Sequence, residues 1–213
     1  NFALVAIGGY GRGELNPFSD IDIMFLHESE LTASGKAKPP LGALTDGLLY
    51  TLWDLGMKVG HSVRTVEDCV KVANSDMQSK TSLIEARLVT GSKELFDRMQ
   101  SVVIAKCVRG YEDAYIQAPL ADQAARRAKF GNSPFMQEPN IKNGCGGLRD
   151  YQNLLWMAFF KYRTRTLDEL KAKDLITEAE KEQLDAAYGF LLWVRNELHY
   201  TAKRAVDALS KNF

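Results

Sequence analysis

The sequence predicts an α+β protein in which a small mixed β-sheet precedes a bundle of helices. Two observations carry this prediction: short apolar segments typical of buried strands lie within the first 26 residues, and helical periodicity dominates after about residue 66. The chain has 213 residues, 46% of them hydrophobic, which is enough for a sheet domain joined to a helical one. We place the sheet domain at residues 1–75 and the helical domain at residues 76–213.

Three segments of the N-terminal region are predicted to be strands. Residues 3–7 form a short apolar run that ends at glycines, and residues 20–26 alternate acidic and apolar side chains at their start. Residues 60–65 have the composition of a third, short strand. The small, polar and proline-containing residues 29–40 predict a loop, and residues 41–57 show helical periodicity.

Helices are expected through the rest of the chain. Thr65 is a suitable N-cap for the first of them, and the glycine-rich residues 131–147 predict one irregular stretch. Trp156, Phe159 and Phe160 recur at helical spacing, which predicts that they pack in the core and do not stack on a base. The expected helices cover approximately residues 66–75, 77–90, 92–108, 110–128, 148–165 and 177–208.

Charge and composition disfavour several classes of function. Lys+Arg and Asp+Glu both number 27, so the net charge is zero and a nucleic-acid partner is disfavoured. No apolar run approaches the roughly 18–20 residues that span a bilayer, and no signal peptide is visible. The three cysteines form no zinc-binding pattern and fit a reducing compartment. We therefore expect a cytoplasmic protein without membrane association.

Asp20 and Asp22 are the first candidates for chemistry. Side chains alternate along a strand, so the two carboxylates share one face, with Cα atoms roughly 6.6 Å apart, while Ile21 and Ile23 point to the other. Two carboxylates about 6 Å apart repel by about 3 kcal/mol at an effective dielectric of about 20, and a divalent cation turns that cost into ligation. The pair predicts a magnesium site, and a solvated pair at the start of an edge strand is the alternative.

A glycine cluster follows the first strand and strengthens this interpretation. Gly8, Gly9, Gly11 and Gly13 would let the backbone approach a ligand, with successive N–H groups forming an anion-binding nest for phosphates. Arg12 would add a charge-assisted hydrogen bond to a phosphate. The segment lacks the Gly-Lys-Ser/Thr of a Walker A loop and the GxGxxG of a Rossmann turn. The remaining interpretations are a phosphate-binding glycine turn and a plain hairpin loop.

The joint pattern resembles the signature of the bacterial PII-protein uridylyltransferase group, which belongs to the DNA polymerase beta-like nucleotidyltransferase superfamily. The resemblance covers most of the chain, and its segments occur in the same order as in the group. It implies that residues 1–75 form a polymerase beta-like nucleotidyltransferase domain. The resembling segments are residues 8–15, 19–22, 60–65, 83–88 and 139–150.

The resemblance also implies a reaction. Asp20 and Asp22 would be the catalytic residues and would hold Mg²⁺, or Mn²⁺ in its place, on a nucleoside triphosphate, while the glycine segment and Ser19 would bind its phosphates. An acceptor hydroxyl would attack the α-phosphorus and pyrophosphate would leave, with two metal ions stabilising both oxygens. In this group the nucleotide is UTP, and the acceptor is a tyrosine of a small trimeric regulator, the PII protein of nitrogen regulation.

Further charged residues are candidates beside this set. Lys142 and Arg149 flank a glycine-rich loop and would bind nucleotide, with a surface or ion-paired role as the alternative. Arg87 is expected on a helix, in an ion pair with Glu85. The superfamily usually supplies a third carboxylate from a later strand, but the matching residues 60–64 contain no acid. The remaining candidates for that carboxylate are Glu85, Glu138 and Asp150.

Full-length members of the group also contain a hydrolase domain marked by a His-Asp pair. The three histidines of this chain are followed by Glu, Ser and Tyr, so we expect that the chain does not remove nucleotides. Because the sequence starts inside an apolar strand pattern and without methionine, we interpret it as an N-terminal fragment of a longer protein.

Three functions remain open at the level of sequence. The first is transfer of UMP, or another NMP, to a protein side chain. The second is a degenerate module that binds nucleotide and regulates attached domains without catalysis, which the missing third carboxylate favours. The third is transfer to a small molecule or to an RNA end, and the neutral charge disfavours RNA.

Overall fold

The protein contains two compact units. The first comprises Asn1–Leu15 and Ser19–Gly110, and the second comprises Asn16–Phe18 and the chain from Tyr111 onward. The first unit extends past the boundary expected at residue 75, because a later strand completes its sheet. No helix that the structure describes is long and apolar enough to cross a membrane. The computed structural model describes residues 1–28, 32–33, 36–37 and 39–211.

A four-stranded mixed sheet forms the centre of the first unit. β1 runs antiparallel to both β2 and β6, whereas β2 and β5 are parallel. The α+β class and the three predicted strands are confirmed. The strands, in spatial order, are β5 (Val59–Arg64), β2 (Ile21–His27), β1 (Phe2–Ala6) and β6 (Arg87–Gly91).

The loop expected at residues 29–40 contains a small strand pair. β3 (Thr32–Ala33) and β4 (Lys36–Ala37) are antiparallel, and the following helix already begins at Pro39. The rest of the predicted loop, residues 29–31, 34–35 and 38, lies outside the described residues.

Five helices and a π-helical turn accompany the sheet in the described part of the first unit. Thr65 caps α3 as predicted, because its hydroxyl accepts from the Asp68 amide at 3.1 Å while the Asp68 carboxylate accepts from the Thr65 amide at 3.0 Å. The elements are α1 (Gly8–Arg12), α2 (Pro39–Asp54), α3 (Val66–Ser75), α4 (Met77–Ile84), α5 (Lys93–Val103) and the π-helical turn Ile104–Val108.

The two faces of the sheet have different apolar partners. Met24 and Leu26 pack with buried side chains of α3 and α5 on one face. Ile23 and Phe25 pack with side chains of α2 on the other, and Ile21 belongs to this second cluster. The alternation that strand geometry predicts for β2 is therefore present.

The helix expected over residues 77–90 is wrong in its second half. α4 ends at Ile84, and β6 forms in place of a further helical turn. β6 pairs with the edge of β1, with Leu88 opposite Val5. Because strand formation depends on a distant partner, this pairing overrides the local helical pattern.

The second unit is helical, as predicted, apart from the irregular residues 131–147, where Asn140 makes a single bridge to Ala208. The last helix ends at Ala202 and not near residue 208, because Lys203 adopts a left-handed conformation with φ of 53°. The aromatic residues expected in the core, Trp156, Phe159 and Phe160, are buried. The helices are α6 (Glu112–Phe130), α7 (Leu148–Tyr162), α8 (Leu167–Lys171), which was not predicted, and α9 (Glu178–Ala202).

Candidate active site

The aspartate pair lies at the start of β2. Asp22 is the second residue of the strand and is half-buried, whereas Asp20 precedes the strand and is exposed. The Ile7 amide donates to the Asp22 carbonyl at 3.1 Å, which ties the end of β1 to this position. The start of the strand is also fixed on its other side, where the Ile21 amide donates to the Lys58 carbonyl at 2.8 Å.

Two glycines lie against the Asp22 carboxylate. Gly60 lies opposite Asp22 in the parallel pairing of β2 with β5. A Cβ atom at Gly60 would lie 2.3 Å from Oδ1 of Asp22, and one at Gly8 would lie 3.5 Å from Oδ2. The first distance is far below van der Waals contact, so the position of the carboxylate depends on glycine at residue 60.

The glycine segment forms a short helix and not the open turn expected from the sequence. Within α1 the Gly11 amide donates to the Ile7 carbonyl at 3.1 Å, and the Gly13 amide donates to the Tyr10 carbonyl at 3.2 Å. Gly13 ends the helix in a left-handed conformation with φ of 78°. These two amides are therefore occupied, and helix geometry leaves the first-turn amides of Gly8, Gly9 and Tyr10 without a partner within α1.

Gly11 has a packing role that the sequence did not reveal. A Cβ atom at this position would lie 2.5 Å from the Glu85 carbonyl oxygen and 3.1 Å from that of Ala6. The close approach of α1 to the end of α4 and to β1 consequently requires glycine here.

Arg12 is held by two carboxylates. Its Nε lies 2.8 Å from Oε2 of Glu14, and its Nη1 lies 2.7 Å from Oε2 of Glu85. The side chains of Arg12 and Glu85 are 21% and 9% exposed. A contact of Arg12 with a phosphate would compete with these ion pairs, and Glu85 is likewise engaged in one.

Arg87 lies in a different element from the one expected from the sequence. It lies on β6 and not on a helix, and Glu85 forms an ion pair with Arg12. Its Nη2 donates to the Tyr10 carbonyl at 2.9 Å and its Nε to the Gly11 carbonyl at 3.3 Å. A cation at the carboxyl end of a helix is stabilising, so Arg87 supports α1. Only the correct assignment of β6 would have indicated this role.

The Ser19 hydroxyl is a polar group that the surrounding protein does not satisfy. It is buried and makes no hydrogen bond within the described part of the chain. A buried polar group without a partner is unfavourable, and a bound ligand is one way to satisfy it. Ser19 directly precedes Asp20, so this donor belongs to the same segment as the aspartate pair.

The acidic donor set fits a Mg²⁺ ion that is shared with a substrate. Across the described residues, no group of three or more His, Cys, Asp or Glu side chains could hold a metal ion. Mg²⁺ is typically held by one or two carboxylates together with substrate phosphates and water. Asp20 and Asp22 therefore suit a metal ion that arrives with a nucleotide better than one held by protein alone.

Lys142 and Arg149 belong to the second unit and lie close to each other. The Arg149 amide donates to the Lys142 carbonyl at 2.9 Å. Lys142 Nζ lies 4.0 Å from Oδ2 of Asp207, and the Arg149 guanidinium lies 5.0 Å from the centre of the Trp156 ring. Both cations thus have partners within their own unit.

Asp150, a candidate third carboxylate, is part of a buried network. Arg126 donates to it at 2.8 Å, and the Gly146 amide donates to it at 3.0 Å. Burial alone would raise the pKa of Asp150, but hydrogen bonds from Arg126, the Gly146 amide and Gln123 outweigh it and hold the pKa below its ordinary value. This carboxylate has a structural role.

Glu138, the last candidate, binds the C-terminal segment. Its Oε1 accepts from the Lys211 amide at 2.8 Å and from the Ser210 hydroxyl at 3.0 Å. These hydrogen bonds, the one from the Lys211 amide first, lower the pKa of Glu138. All three candidates for a third carboxylate are therefore engaged in other interactions.

Comparison with known proteins gives matches over most of the chain. Residues 1–89 match the nucleotidyltransferase domain model, and residues 114–213 match the model of the GlnD PII-uridylyltransferase family. The bifunctional uridylyltransferase/uridylyl-removing enzyme of Azospirillum brasilense is 40% identical over 209 residues, and that of Erythrobacter litoralis is 43% identical over 211 residues. These alignments cover 98% and 99% of the chain but 22% of each relative. The chain therefore carries a nucleotidyltransferase domain, and its residues 114–213 are similar to the PII-uridylyltransferase family.

Proposed function

We propose that this chain transfers UMP from UTP, or another nucleoside monophosphate, to a hydroxyl group of a PII-type regulatory protein. Pyrophosphate is released in this reaction. The observation that carries the proposal is the aspartate pair at the start of β2, beside a glycine helix. Relatives that are about 40% identical are named uridylyltransferases, which supports the choice of nucleotide.

The metal site of this proposal consists of Asp20 and Asp22. Bound Mg²⁺ would neutralise the triphosphate and stabilise charge on the entering and leaving oxygens. The close packing of Asp22 Oδ1 against Gly60 supports this assignment, because it fixes the position of the carboxylate that would bind the ion. Asp20, which is exposed, is accessible to the same ion.

The phosphates would be bound by groups that precede the aspartates. The first-turn amides of α1 and the Ser19 hydroxyl would donate hydrogen bonds to phosphate oxygens. The Ser19 hydroxyl has no hydrogen-bond partner among the residues that the structure describes, which supports this role. We propose Gly8, Gly9 and Ser19 as the principal phosphate contacts, with Gly11 and Gly13 shaping α1. Arg12, Lys142 and Arg149 would contribute after exchange of their present partners.

A second candidate function is a nucleotide-binding regulatory module without catalysis. The observation that favours it is the engagement of every candidate third carboxylate in hydrogen bonds or ion pairs: Glu85 with Arg12, Asp150 with Arg126, and Glu138 with Lys211. In a module of this kind, none of these three residues would act as the general base that activates an acceptor hydroxyl.

Incubation of the purified chain with each NTP and Mg²⁺, alone and with a PII-type protein, tests the two candidates. Mass spectrometry of the acceptor and a pyrophosphate assay measure transfer, and equilibrium dialysis measures nucleotide binding. We expect transfer from UTP to the PII-type protein. Nucleotide binding without transfer supports the regulatory module, and a mass shift on an RNA or a small molecule identifies a different acceptor.

The variants Asp20→Asn and Asp22→Asn test the metal site directly. Each is expected to lower transfer by about two to three orders of magnitude, because it removes a charged ligand that stabilises the transition state. Asp97→Asn is the matched control, since Asp97 pairs with Lys93 on an exposed helix surface. Variants that bind metal and nucleotide as tightly as the unaltered chain would contradict the assignment.

A further inference from the structure

Three residues just before Ser19 belong to the second unit. The first unit is interrupted after Leu15, Asn16–Phe18 group with the helices, and the first unit resumes at Ser19. Asp20 follows at once in the sequence. The helical unit therefore holds the chain immediately before a proposed metal ligand.

We propose that α9 positions the metal-binding segment by holding Asn16–Phe18, and that Arg195, Asn196 and His199 are the positioning residues. This inference rests on the proposed function of the two aspartates. It adds a role for the helical unit in the reaction, which none of the motifs indicated.

Asn16 is the first point of attachment. Its side-chain oxygen accepts a hydrogen bond from Nη1 of Arg195, and its side-chain nitrogen donates to Oδ1 of Asn196 at 2.7 Å. Asn16 is 7% exposed, so both bonds are shielded from water. A short polar side chain with a donor and an acceptor is what this position requires.

Pro17 is the second point of attachment. Its carbonyl accepts a hydrogen bond from Nδ1 of His199, a side chain that is fully buried. Because a carbonyl oxygen can only accept, Nδ1 is a ring nitrogen that carries a hydrogen. The other ring nitrogen makes no hydrogen bond within the described residues. This nitrogen lies 4.0 Å from Oδ1 of Asp207, so the buried His199 contacts both the Pro17 carbonyl and the carboxylate that anchors Arg195.

The holding residues are themselves anchored. Nε of Arg195 lies 2.7 Å from Oδ1 of Asp207. The backbone carbonyl of Asp207 accepts from the Ile141 amide at 2.7 Å, which ties the C-terminal segment to the loop before α7. Arg195 therefore has little freedom to move, and a fixed donor can fix its partner.

Phe18 shows why such an attachment is needed. It is half-exposed and adopts a left-handed backbone conformation with φ of 58°. Residues other than glycine rarely adopt this conformation, and they keep it only where the surrounding structure determines it. Asp20 lies outside β2 and so depends on the chain before it for its position. The hydrogen bonds at Asn16 and Pro17 supply that constraint.

Three substitutions separate positioning from stability. Asn16→Leu has similar size but removes both hydrogen bonds. Asn16→Asp keeps the acceptor for Arg195, and the Asn196 amide can turn to donate to it. Gln152→Leu is the matched control, because Gln152 is 6% exposed and donates to the Tyr188 hydroxyl elsewhere in the helical unit.

The measurement is binding of Mn²⁺ together with α,β-methylene-UTP to the full chain, followed by electron paramagnetic resonance, with the thermal midpoint recorded for each variant. We expect Asn16→Leu to weaken Mn²⁺ binding by about ten- to a hundredfold, because misplacement of a ligand by about 1 Å has effects of this size. Asn16→Asp should restore binding. Gln152→Leu should lower the thermal midpoint and leave Mn²⁺ binding unchanged.

Each outcome decides the proposal. Normal Mn²⁺ binding by Asn16→Leu overturns it, and so does equal weakening by Gln152→Leu, which would indicate a general loss of stability. If the unaltered chain itself binds no Mn²⁺ with the nucleotide analogue, the proposed function fails, and this inference fails with it. The first two results leave the proposed function standing.

Discussion

Asp22 and Asp150 are both half-buried aspartates, yet different groups lie against their carboxylates. The Asp22 carboxylate lies against Gly60, where a Cβ atom would be 2.3 Å from its Oδ1. Arg126, Gln123 and the Gly146 amide close around the Asp150 carboxylate. A glycine neighbour thus sets the position of one carboxylate, whereas hydrogen-bond donors set the position of the other.

Among the substitutions that test this comparison, removal of Arg126 is expected to have the largest effect. Arg126→Met is expected to lower the free energy of unfolding of the second unit by about 3 kcal/mol, because it leaves the buried carboxylate of Asp150 without its main donor. Urea unfolding, followed by the fluorescence of Trp156 and Trp193, measures the change. Lys93→Met, which breaks an exposed ion pair, is the control and should cost less than about 1 kcal/mol.

A substitution that displaces the Asp22 carboxylate is expected to have the next largest effect. Gly60→Ala would place a methyl group against Oδ1, so we expect Mg²⁺ and nucleotide affinity to fall by about tenfold through displacement of the metal ligand. Isothermal titration calorimetry with Mn²⁺ and UTP measures the effect. Gly47→Ala is the control, because nothing lies within 4 Å of a Cβ atom there and the helix should gain about 0.5–1 kcal/mol. Equal metal affinity in both variants would contradict the role of Gly60.

The smallest expected effect concerns pH. The pKa of Asp150 is lower in the folded chain than its ordinary value of 3.8. Its contribution to stability is therefore fully present above the unfolded pKa and is lost as the pH falls through the lower folded pKa. We expect the stability difference between the unaltered chain and Asp150→Asn to shrink on acidification below about pH 4. A difference that stays constant from neutral pH to about pH 2 would show that the pKa is not lowered.

Local patterns predicted the elements that depend on neighbours in sequence. The alternation around Ile21 and Ile23 gave the orientation of β2, and Thr65 marked the start of α3. Arg87 was misplaced because β6 exists only through pairing with β1, more than 80 residues earlier. α1 was missed because its glycines have low helix propensity, and the contact of Gly11 with Glu85 supplies what propensity does not.

The candidate site shows the same division. Asp20, Asp22 and the glycines could be selected from the sequence, because their spacing itself has a chemical meaning. Gly60 could not be selected, since its importance comes from its position opposite Asp22 in the pairing of β2 with β5. The engagement of Arg12 by Glu85 joins residues 73 positions apart and has no local signal.

The attachment of Asn16 to Arg195 spans 179 residues and has a consequence for biosynthesis. On a ribosome, the segment before Asp20 emerges well before its partner on α9, because Arg195 is made 179 residues after Asn16. The sheet can assemble from local pairings long before then, while closure of so distant a contact comes late. We expect an immature chain to hold its aspartates loosely, so that metal binding becomes a late event that marks the completion of the helical unit.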